Sequence, residues 1–579
     1  MKHFLALKDF FLENRLAYFF GIVWLIITNI LQVTMPKILG IIVDFIANPG
    51  LAGDLAIYIF IIVLIALLLA VSRYFWRMYV VGAARKLEYY LRNMLFAHFQ
   101  RLDPKFYDNQ KTGDLMALAT NDVIAVRMAF AGGVVMVSDA VIITGLAVGV
   151  MVTTIDPRLT AAALIPLPLI ALGVARFNTV IHARFKQVQA AFASLTDLVQ
   201  ENISAIRVIK SFVLENSQLQ KFNVRSQGIV DTNMHLVKVS GLLYPLVQYL
   251  ASVSFLIALG YGGYLVINEV ISIGDFIAFN GYLMLLTWPM MAVGYVINLL
   301  QRGTASMARI NELLVQEPEV LDGPETDHSL KQIQGRIEFK NLSFAYQGFD
   351  PVLKGFNLTI NSGETAAIFG RTGSGKSTLT DLLLRLYEAK PKSLFIDGIE
   401  ITRYPLQVLR NSIGYVPQDS FLFSITIKEN IALGKPKASM DEIIAVSKLA
   451  SVYEDIMSFP DGFETLVGER GITLSGGQKQ RLALARALLM DPSILILDDS
   501  LSAVDTATEE AILSFLDEYR KDRTTIIISH RISAVKYAHK IVVLDDGVII
   551  QQGTHEELLA DSGGLYYRMY HLQLLEGEG

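Results

Sequence analysis

Six long stretches with almost no charge lie before residue 302, at 16–36, 55–72, 128–155, 159–175, 239–268 and 276–301. A helix needs about 20 apolar residues to cross the hydrocarbon core of a bilayer, so the chain reads as six membrane spans, the two near-minimal ones borrowing length from amphipathic ends. Core helices of large water-soluble proteins rarely run past about 20 residues without a charge, which argues against burial in such a core. Composition agrees: 52% of the 579 residues are hydrophobic and 18% charged, against about a quarter charged in soluble domains. The first span is too long for a signal-peptide core and no small-residue cleavage site follows it, so it is expected to stay in the membrane.

Basic residues choose the orientation. Lys37 apart, the connection between the first two spans carries no Lys or Arg, nor does 269–275 between the last two, and the third connection has only Arg158. The stretches 73–127 and 176–238 are rich in both, which places them, and with them both termini, in the cytoplasm. They carry amphipathic patterns of helix length, as at 176–200, so the membrane helices are expected to continue well beyond the bilayer. Each is interrupted midway, at 102–107 and at 202–207, where a hairpin tip would offer a docking point. The chain has 50 basic and 55 acidic residues and no basic tail, so nucleic acid is not an expected partner. With no cysteine, disulfide scaffolds, thiolate zinc sites and thiol nucleophiles are excluded.

After Ala305 the pattern changes. A linker over 317–334, with Pro318, Gly323 and Pro324, separates a membrane domain, 1–316, from a second domain, 335–579. There β-branched runs at 336–339, 365–369, 393–396, 494–497 and 525–528 alternate with helical patterns. The fold class is therefore multidomain: an all-α six-helix membrane domain followed by an α/β domain around a largely parallel sheet.

The strongest chemical signal follows one of those strands. Gly370-Arg371-Thr372-Gly373-Ser374-Gly375-Lys376-Ser377-Thr378 is a complete P-loop, GxxxxGK[ST]. Its glycines let backbone N–H groups wrap phosphate oxygens, Lys376 bridges the terminal phosphates, and Ser377 ligates Mg²⁺. The run Ile494 to Leu497 ends in Asp498, where P-loop enzymes place the carboxylate that holds Mg²⁺. Between them lies Leu474-Ser475-Gly476-Gly477-Gln478, followed by a helical pattern with Arg481 and Arg486. Taken alone, Ser475 to Gly477 reads as a flexible loop, Tyr346 as a packed aromatic at a strand end, and His530 as a strand-end histidine.

Together these motifs resemble the ATP-binding cassette family over the whole chain. Leu474 to Gln478 is that family's signature; Gln418 in Val416-Pro417-Gln418-Asp419, the stretch Val467-Gly468-Glu469-Arg470-Gly471, Asp505 and His530 match it as well. Six spans and one such domain look like a half-transporter of the type IV exporter architecture, with ATP and Mg²⁺ as its cofactors. The resemblance implies that Tyr346 stacks on adenine, Gln418 senses Mg²⁺ and the γ-phosphate, Asp505 communicates across a dimer, and His530 clamps the γ-phosphate. It also makes 102–107 and 202–212 coupling helices, and implies a multi-pass protein of the bacterial cytoplasmic membrane.

One residue departs from the pattern. The family places Glu after the Mg²⁺-binding Asp as general base; here it is Asp499, one methylene shorter. A base drawn back by about 1 Å costs on the order of 10²-fold, so this P-loop is expected to hydrolyse ATP poorly. That asymmetry resembles the smaller half of bacterial heterodimeric multidrug exporters. A second half-transporter is thus the expected partner, a homodimer the alternative, with amphipathic small molecules as cargo. Lipid or lipopeptide export, and a nucleotide-gated channel or regulatory subunit, are the competing functions. Asp139, the one acid inside a span, is expected to face the bundle interior, paired with Arg73 or Arg77 or else attracting cationic cargo.

Overall fold

The computed structural model describes residues 2–47, 55–468 and 474–577. It divides into two compact units, one holding the chain up to Arg101 and Lys111–Gln316, the other Leu102–Gln110 and the chain from Glu317 onward.

In the first unit six helices are long and apolar enough to span a membrane: α1 Arg15–Ala47, α2 Leu55–Phe99, α3 Thr112–Ile155, α4 Pro157–Ser204, α5 Glu215–Ile267 and α6 Ile273–Leu314. Each contains one of the expected spans, α5 all but its last residue, and at 33 to 53 residues each is longer than its span. A 53-residue helix is about 80 Å long at 1.5 Å per residue. Their outward faces carry Phe60, Val63 and Leu67, all more than half exposed, as lipid-facing surfaces do.

Local chemistry sets the ends. The α3–α4 connection closes on Asp156, whose side chain accepts from the Leu159 amide at 2.7 Å, with Pro157 at the first helical position. Ser272 caps α6, accepting from the Asp275 amide at 2.9 Å and donating to Asp44 of α1 at 2.7 Å, while Asp44 also accepts from the Gly274 amide. The interruption expected at 202–207 falls at Ala205, after which a six-residue helix, Ile206–Ser211, begins. The interruption at 102–107 opens the short helix Pro104–Asp108.

In the second unit ten strands are formed among the described residues: β1 Ile337–Phe344, β2 Leu353–Ile360, β3 Thr365–Gly370, β4 Leu394–Ile396, β5 Ile399–Glu400, β6 Ile413–Val416, β7 Ile494–Asp498, β8 Thr524–Ser529, β9 Lys540–Asp545 and β10 Val548–Gly553. They make two sheets rather than one. A six-stranded sheet, β10-β9-β3-β8-β7-β6, is parallel except for β10. The expected runs 336–339 and 393–396 instead belong to a four-stranded antiparallel sheet, β2-β1-β4-β5. The reason is visible in burial: β7 is buried at every position, whereas β2 alternates buried and exposed or half-buried residues, the mark of an antiparallel strand with one wet face.

The parallel sheet is a wall with a core on each side. Ala366, Ile368, Ile494, Ile496, Ile526 and Ile528 pack toward β1, β2 and helix α7, Lys376–Leu383. Their neighbours Ala367, Phe369, Leu495, Leu497 and Ile527 pack toward helix α8, Gly476–Leu489, and its surroundings.

A close approach of α1 to α6 gives the first prediction. A Cβ at Gly274 would overlap the Gly40 carbonyl oxygen and meet the Asp44 carboxylate at 2.5 Å, whereas nothing lies within 4 Å of one at Gly82. Gly274→Ala should destabilise by about 1–3 kcal/mol, the usual size of overpacking, and lower the melting temperature of the detergent-purified protein. Gly82→Ala should not.

Candidate nucleotide site and membrane cavity

Four parallel strands deliver the chemistry to one edge. In register Phe369 of β3 lies beside Ser529 of β8, Asp498 of β7 beside Ile528, and Val416 of β6 beside Leu497. The chain therefore leaves the same edge of the sheet into the P-loop, His530, Asp499 and Gln418, the edge where open α/β sheets bind ligands.

The loop from Gly370 to Lys376 is built by glycine. Gly373 and Gly375 have φ of +84° and +97°, and a Cβ at Gly370 would overlap the Leu544 carbonyl oxygen and lie 3.0 Å from Ser374 Oγ. Gly375 caps α7, which starts at Lys376. Ser374 is 4% exposed, and its hydroxyl has no hydrogen-bond partner among the described residues. Lys376 is 8% exposed and donates Nζ to the carbonyls of Gly370 at 2.9 Å and Arg371 at 2.8 Å. Burial depresses its pKa, opposed by the charges of Asp499 and Asp498. A buried cation, an unpaired hydroxyl and a helix N-terminus fit the anionic oxygens of a nucleoside triphosphate. Arg371 and Thr372 lie exposed on the same loop.

Asp498 is 3% exposed. Burial raises its pKa; the Ser377 hydroxyl that hydrogen-bonds it and the ammonium of Lys376 work against this, while Asp499 and Asp381 add to it. A buried carboxylate beside a hydroxyl fits Mg²⁺, which takes one or two protein ligands and completes its shell with phosphate oxygens and water. Among the described residues no group of three or more His, Asp or Glu forms a self-sufficient metal cage.

Asp499 is held differently. Its φ is +43°, a left-handed conformation that Asp tolerates better than most residues. Its amide donates to the Ile528 carbonyl at 2.8 Å. Its carboxylate accepts from Ser529 Oγ at 3.0 Å and lies 3.0–3.1 Å from His530 Nδ1. With Nδ1 donating, the other ring nitrogen, Nε2, faces away from the carboxylate. Gln573 Nε2 in turn donates to the His530 carbonyl at 2.7 Å.

Tyr346 is anchored to the P-loop helix. Its hydroxyl donates to Asp381 Oδ2 at 3.1 Å and lies 3.2 Å from Thr378 Oγ1. Its ring stands perpendicular to those of Phe344 and Tyr387, with centroids 5.0 and 5.1 Å away. Burial pushes its pKa up to about 12, with Asp381 adding to the shift.

The signature residues are not joined to the P-loop by any hydrogen bond among the described residues. Ser475 caps α8 in a reciprocal box with Gln478, accepting from the Gln478 amide at 3.2 Å while Gln478 Oε1 accepts from the Ser475 amide at 3.0 Å. Gln478 also donates to Asp455 at 3.0 Å, and Arg481 pairs with Asp455 at 2.9 Å. Gly476 and Gly477 pack on Ala503, and a Cβ at Gly477 would lie 2.7 Å from the Ala503 carbonyl oxygen. Asp505 caps the helix Thr506–Tyr519, accepting from the Thr508 amide at 2.9 Å. Gln418 sits on the exposed bend after β6. Glu469 to Gly471 lie outside the described residues. Sequence reasoning missed Asp381, Ser529 and Asp455. Only Asp381 carried a signal, three residues after Thr378 and so on the same face of α7.

In the membrane unit a cavity of about 380 Å³ opens between α4, α5 and α6. Phe185, Tyr244 and Tyr295 supply ring surface, and Asn178, Ser240 and Asn298 supply neutral hydrogen-bonding groups. His182 is the one titratable group other than tyrosine on its wall. Asp139 is not part of that wall; it lies beside the buried Asn29 of α1, with Arg73 as the neighbouring base.

The fold and site thus define a P-loop nucleotide-binding unit joined in one chain to a six-helix membrane unit. Family models agree: the ABC transporter transmembrane region matches residues 18–290, and the ABC transporter model matches 353–502. The probable multidrug resistance ABC transporter ATP-binding/permease protein YheI of Bacillus subtilis is 41% identical over 568 residues, 98% of this chain and 97% of that one. The multidrug resistance-like ATP-binding protein MdlA of Escherichia coli is 38% identical over 579 residues, 100% and 97% of the two chains. A solved structure of a bacterial Atm1-family ABC exporter with ATP bound superposes with a TM-score of 0.81 at 26% identity, covering 96% of this chain and 99% of that one. The chain belongs to the ABC transporter family: it is a multi-pass membrane ATPase of exporter architecture that binds ATP and couples its hydrolysis to transport.

Lys376→Ala should abolish photolabelling of this chain by an azido-ATP analogue, because it removes the buried cation that would neutralise the phosphates. Undiminished labelling would remove the P-loop assignment.

Proposed function

We propose that this chain is one half of a heterodimeric exporter that moves amphipathic small molecules out across the bacterial cytoplasmic membrane, with ATP retained at its own P-loop and hydrolysed mainly at its partner's. The observation that carries the asymmetry is the carboxylate of Asp499, one methylene short of the usual base and committed to Ser529 and His530 of its own chain. In hydrolysis a water oxygen forms a bond to the γ-phosphorus as the bond to the β,γ-bridging oxygen breaks, and a base takes the water proton. A carboxylate withdrawn by about 1 Å and already bonded to an imidazole loses on the order of 10²-fold in that task.

In this reading Gly370 to Thr378 wrap the phosphates, Lys376 neutralises them, and Tyr346 stacks on adenine. Ser377, Asp498 and Gln418 hold Mg²⁺, which would neutralise charge on the β- and γ-phosphates. His530 is poised toward the γ-phosphate. Ser475 to Gln478 and Asp505 serve the partner's nucleotide across a head-to-tail dimer, which accords with the absence, among the described residues, of any hydrogen bond from them to this chain's own P-loop. The membrane domain is 1–316, the linker 317–334 and the nucleotide-binding domain 335–579. Orientation rests on the basic stretches 73–127 and 176–238, which keep both termini in the cytoplasm.

The cargo class rests on the cavity between α4, α5 and α6 and on the multidrug descriptions of YheI and MdlA. Three rings and neutral amide and hydroxyl groups suit amphipathic molecules held without a formal counter-charge. Asp139, beside Asn29 and near Arg73, is better explained as an internal partner of that base than as a cargo ligand. Asp139→Asn should then disturb folding or assembly more than choice of cargo.

In the purified heterodimer Ser475→Ala should cut ATP turnover by roughly 10²-fold, the cost of one lost donor at a reacting phosphate, whereas Asp499→Asn should leave most of it. Equal inactivity of the two variants would make Asp499 a working base. Ser475→Ala is a cleaner test than Gly477→Asp, for which the Ala503 carbonyl leaves no room. Gly294→Leu would thrust a side chain onto Asn178 and into the cavity, so half-maximal stimulation of vanadate-sensitive ATPase by an amphipathic dye should need about tenfold more dye.

A further inference from the structure

Leu102–Gln110 joins α2 to α3 in the chain but packs with the nucleotide-binding unit. Asp103 Oδ2 accepts from the Glu319 amide at 2.7 Å, Lys105 pairs with Glu319, and the Tyr387 hydroxyl donates to Asp108. The Lys105 pair is largely exposed, and such pairs contribute little. The Tyr387 bond leads inward. The ring of Tyr387 stands at 90° to that of Tyr346, with centroids 5.1 Å apart, and Phe344 stands at 87° to Tyr346 from another side at 5.0 Å. The Tyr346 hydroxyl then reaches Asp381 and Thr378 on α7, the helix that starts at Lys376. Three contacts in series thus run from the tip of the first cytoplasmic hairpin to the P-loop helix.

We propose that Asp108 and Tyr387 are positioning residues for Tyr346, so that the hairpin tip 102–110 helps to set how tightly this chain's own site holds the base of its nucleotide. The proposal rests on the reading of Tyr346 as the residue that stacks on adenine. A base stacks on the face of a ring, and here Phe344 and Tyr387 stand perpendicular to Tyr346 while its hydroxyl is tied to α7. The plane of the ring is therefore fixed before nucleotide arrives, and little ordering remains to be done on binding. Releasing Tyr387 from Asp108 frees Tyr387 to turn, and Tyr346 with it. Coupling between two sites is reciprocal, so nucleotide at this site also stiffens the tip that connects α2 to α3. Asp108 acts through Tyr387 and touches no nucleotide.

The test uses the full heterodimer in nanodiscs and follows azido-ATP photolabelling of this chain in competition with two probes, ATP and inorganic tripolyphosphate, which carries the phosphates without a base. Tyr387→Phe and Asp108→Asn should each weaken competition by ATP roughly threefold to tenfold, the scale on which one edge-to-face ring pair acts, and leave tripolyphosphate unchanged. Their double variant should be no worse than either alone, and Asp108→Glu should restore most of the affinity. If Tyr346→Ala leaves ATP competition unchanged, Tyr346 does not bind the base, and the proposal falls with that reading. If Tyr346→Ala weakens ATP while Tyr387→Phe and Asp108→Asn do not, the relay alone is wrong. Equal weakening of ATP and tripolyphosphate would overturn it too, because the effect would then be general disturbance of the P-loop.

Discussion

The parallel register of β3, β8, β7 and β6 is the constraint on which the rest of the nucleotide-binding unit depends. Because these four strands point the same way, each ends at one edge of the sheet, and a phosphate-wrapping loop, two adjacent carboxylates, a histidine and an exposed glutamine converge there. The register itself is held by alternating burial, with Ile368, Ile496 and Ile528 on one face and Phe369, Leu497 and Ile527 on the other. A slip of one residue would exchange the two cores. It would also separate Asp499 from Ser529 and His530, whose contact exists only because β7 and β8 end level.

That contact gives the chain its character. Two carboxylates stand side by side at the end of β7 with different surroundings. Asp498 is buried against Ser377 and Lys376, where burial raises its pKa and a divalent cation would reverse that shift. Asp499 turns through a positive φ into bonds with its own chain. The first is proposed to hold a metal; the second is hydrogen-bonded to a histidine of its own chain. The glycine-built loop and buried Lys376 show no matching defect. In the proposed reading such a site binds a triphosphate and activates water against it poorly.

Sequence made some of this legible because the physics was local. Membrane spans follow from hydropathy over about 20 residues, and the P-loop follows from glycines and a lysine at fixed spacing, since only glycine enters the backbone conformations of Gly373 and Gly375 without cost. What was not legible was non-local. Tyr346 and Asp381 are 35 residues apart, Tyr387 and Asp108 are 279 apart, and neither pair leaves a pattern in a single chain. The antiparallel sheet was merged with the parallel one because short β-branched runs look alike, although the wet positions of β1 and β2 carried the distinction. The helix-capping pattern at Ser475 to Gln478 is present in the sequence but reads there as a flexible loop or as a family signature; the structure adds a reciprocal cap.

The central claim, that this P-loop keeps ATP while its partner turns it over, is tested most directly by recovering nucleotide from each chain separately. Purified heterodimer would be photolabelled with α-labelled azido-ATP after a period of steady turnover, and the nucleotide on each chain identified as di- or triphosphate. The account predicts triphosphate on this chain and diphosphate on its partner. Diphosphate appearing on this chain as fast as on the partner would contradict it.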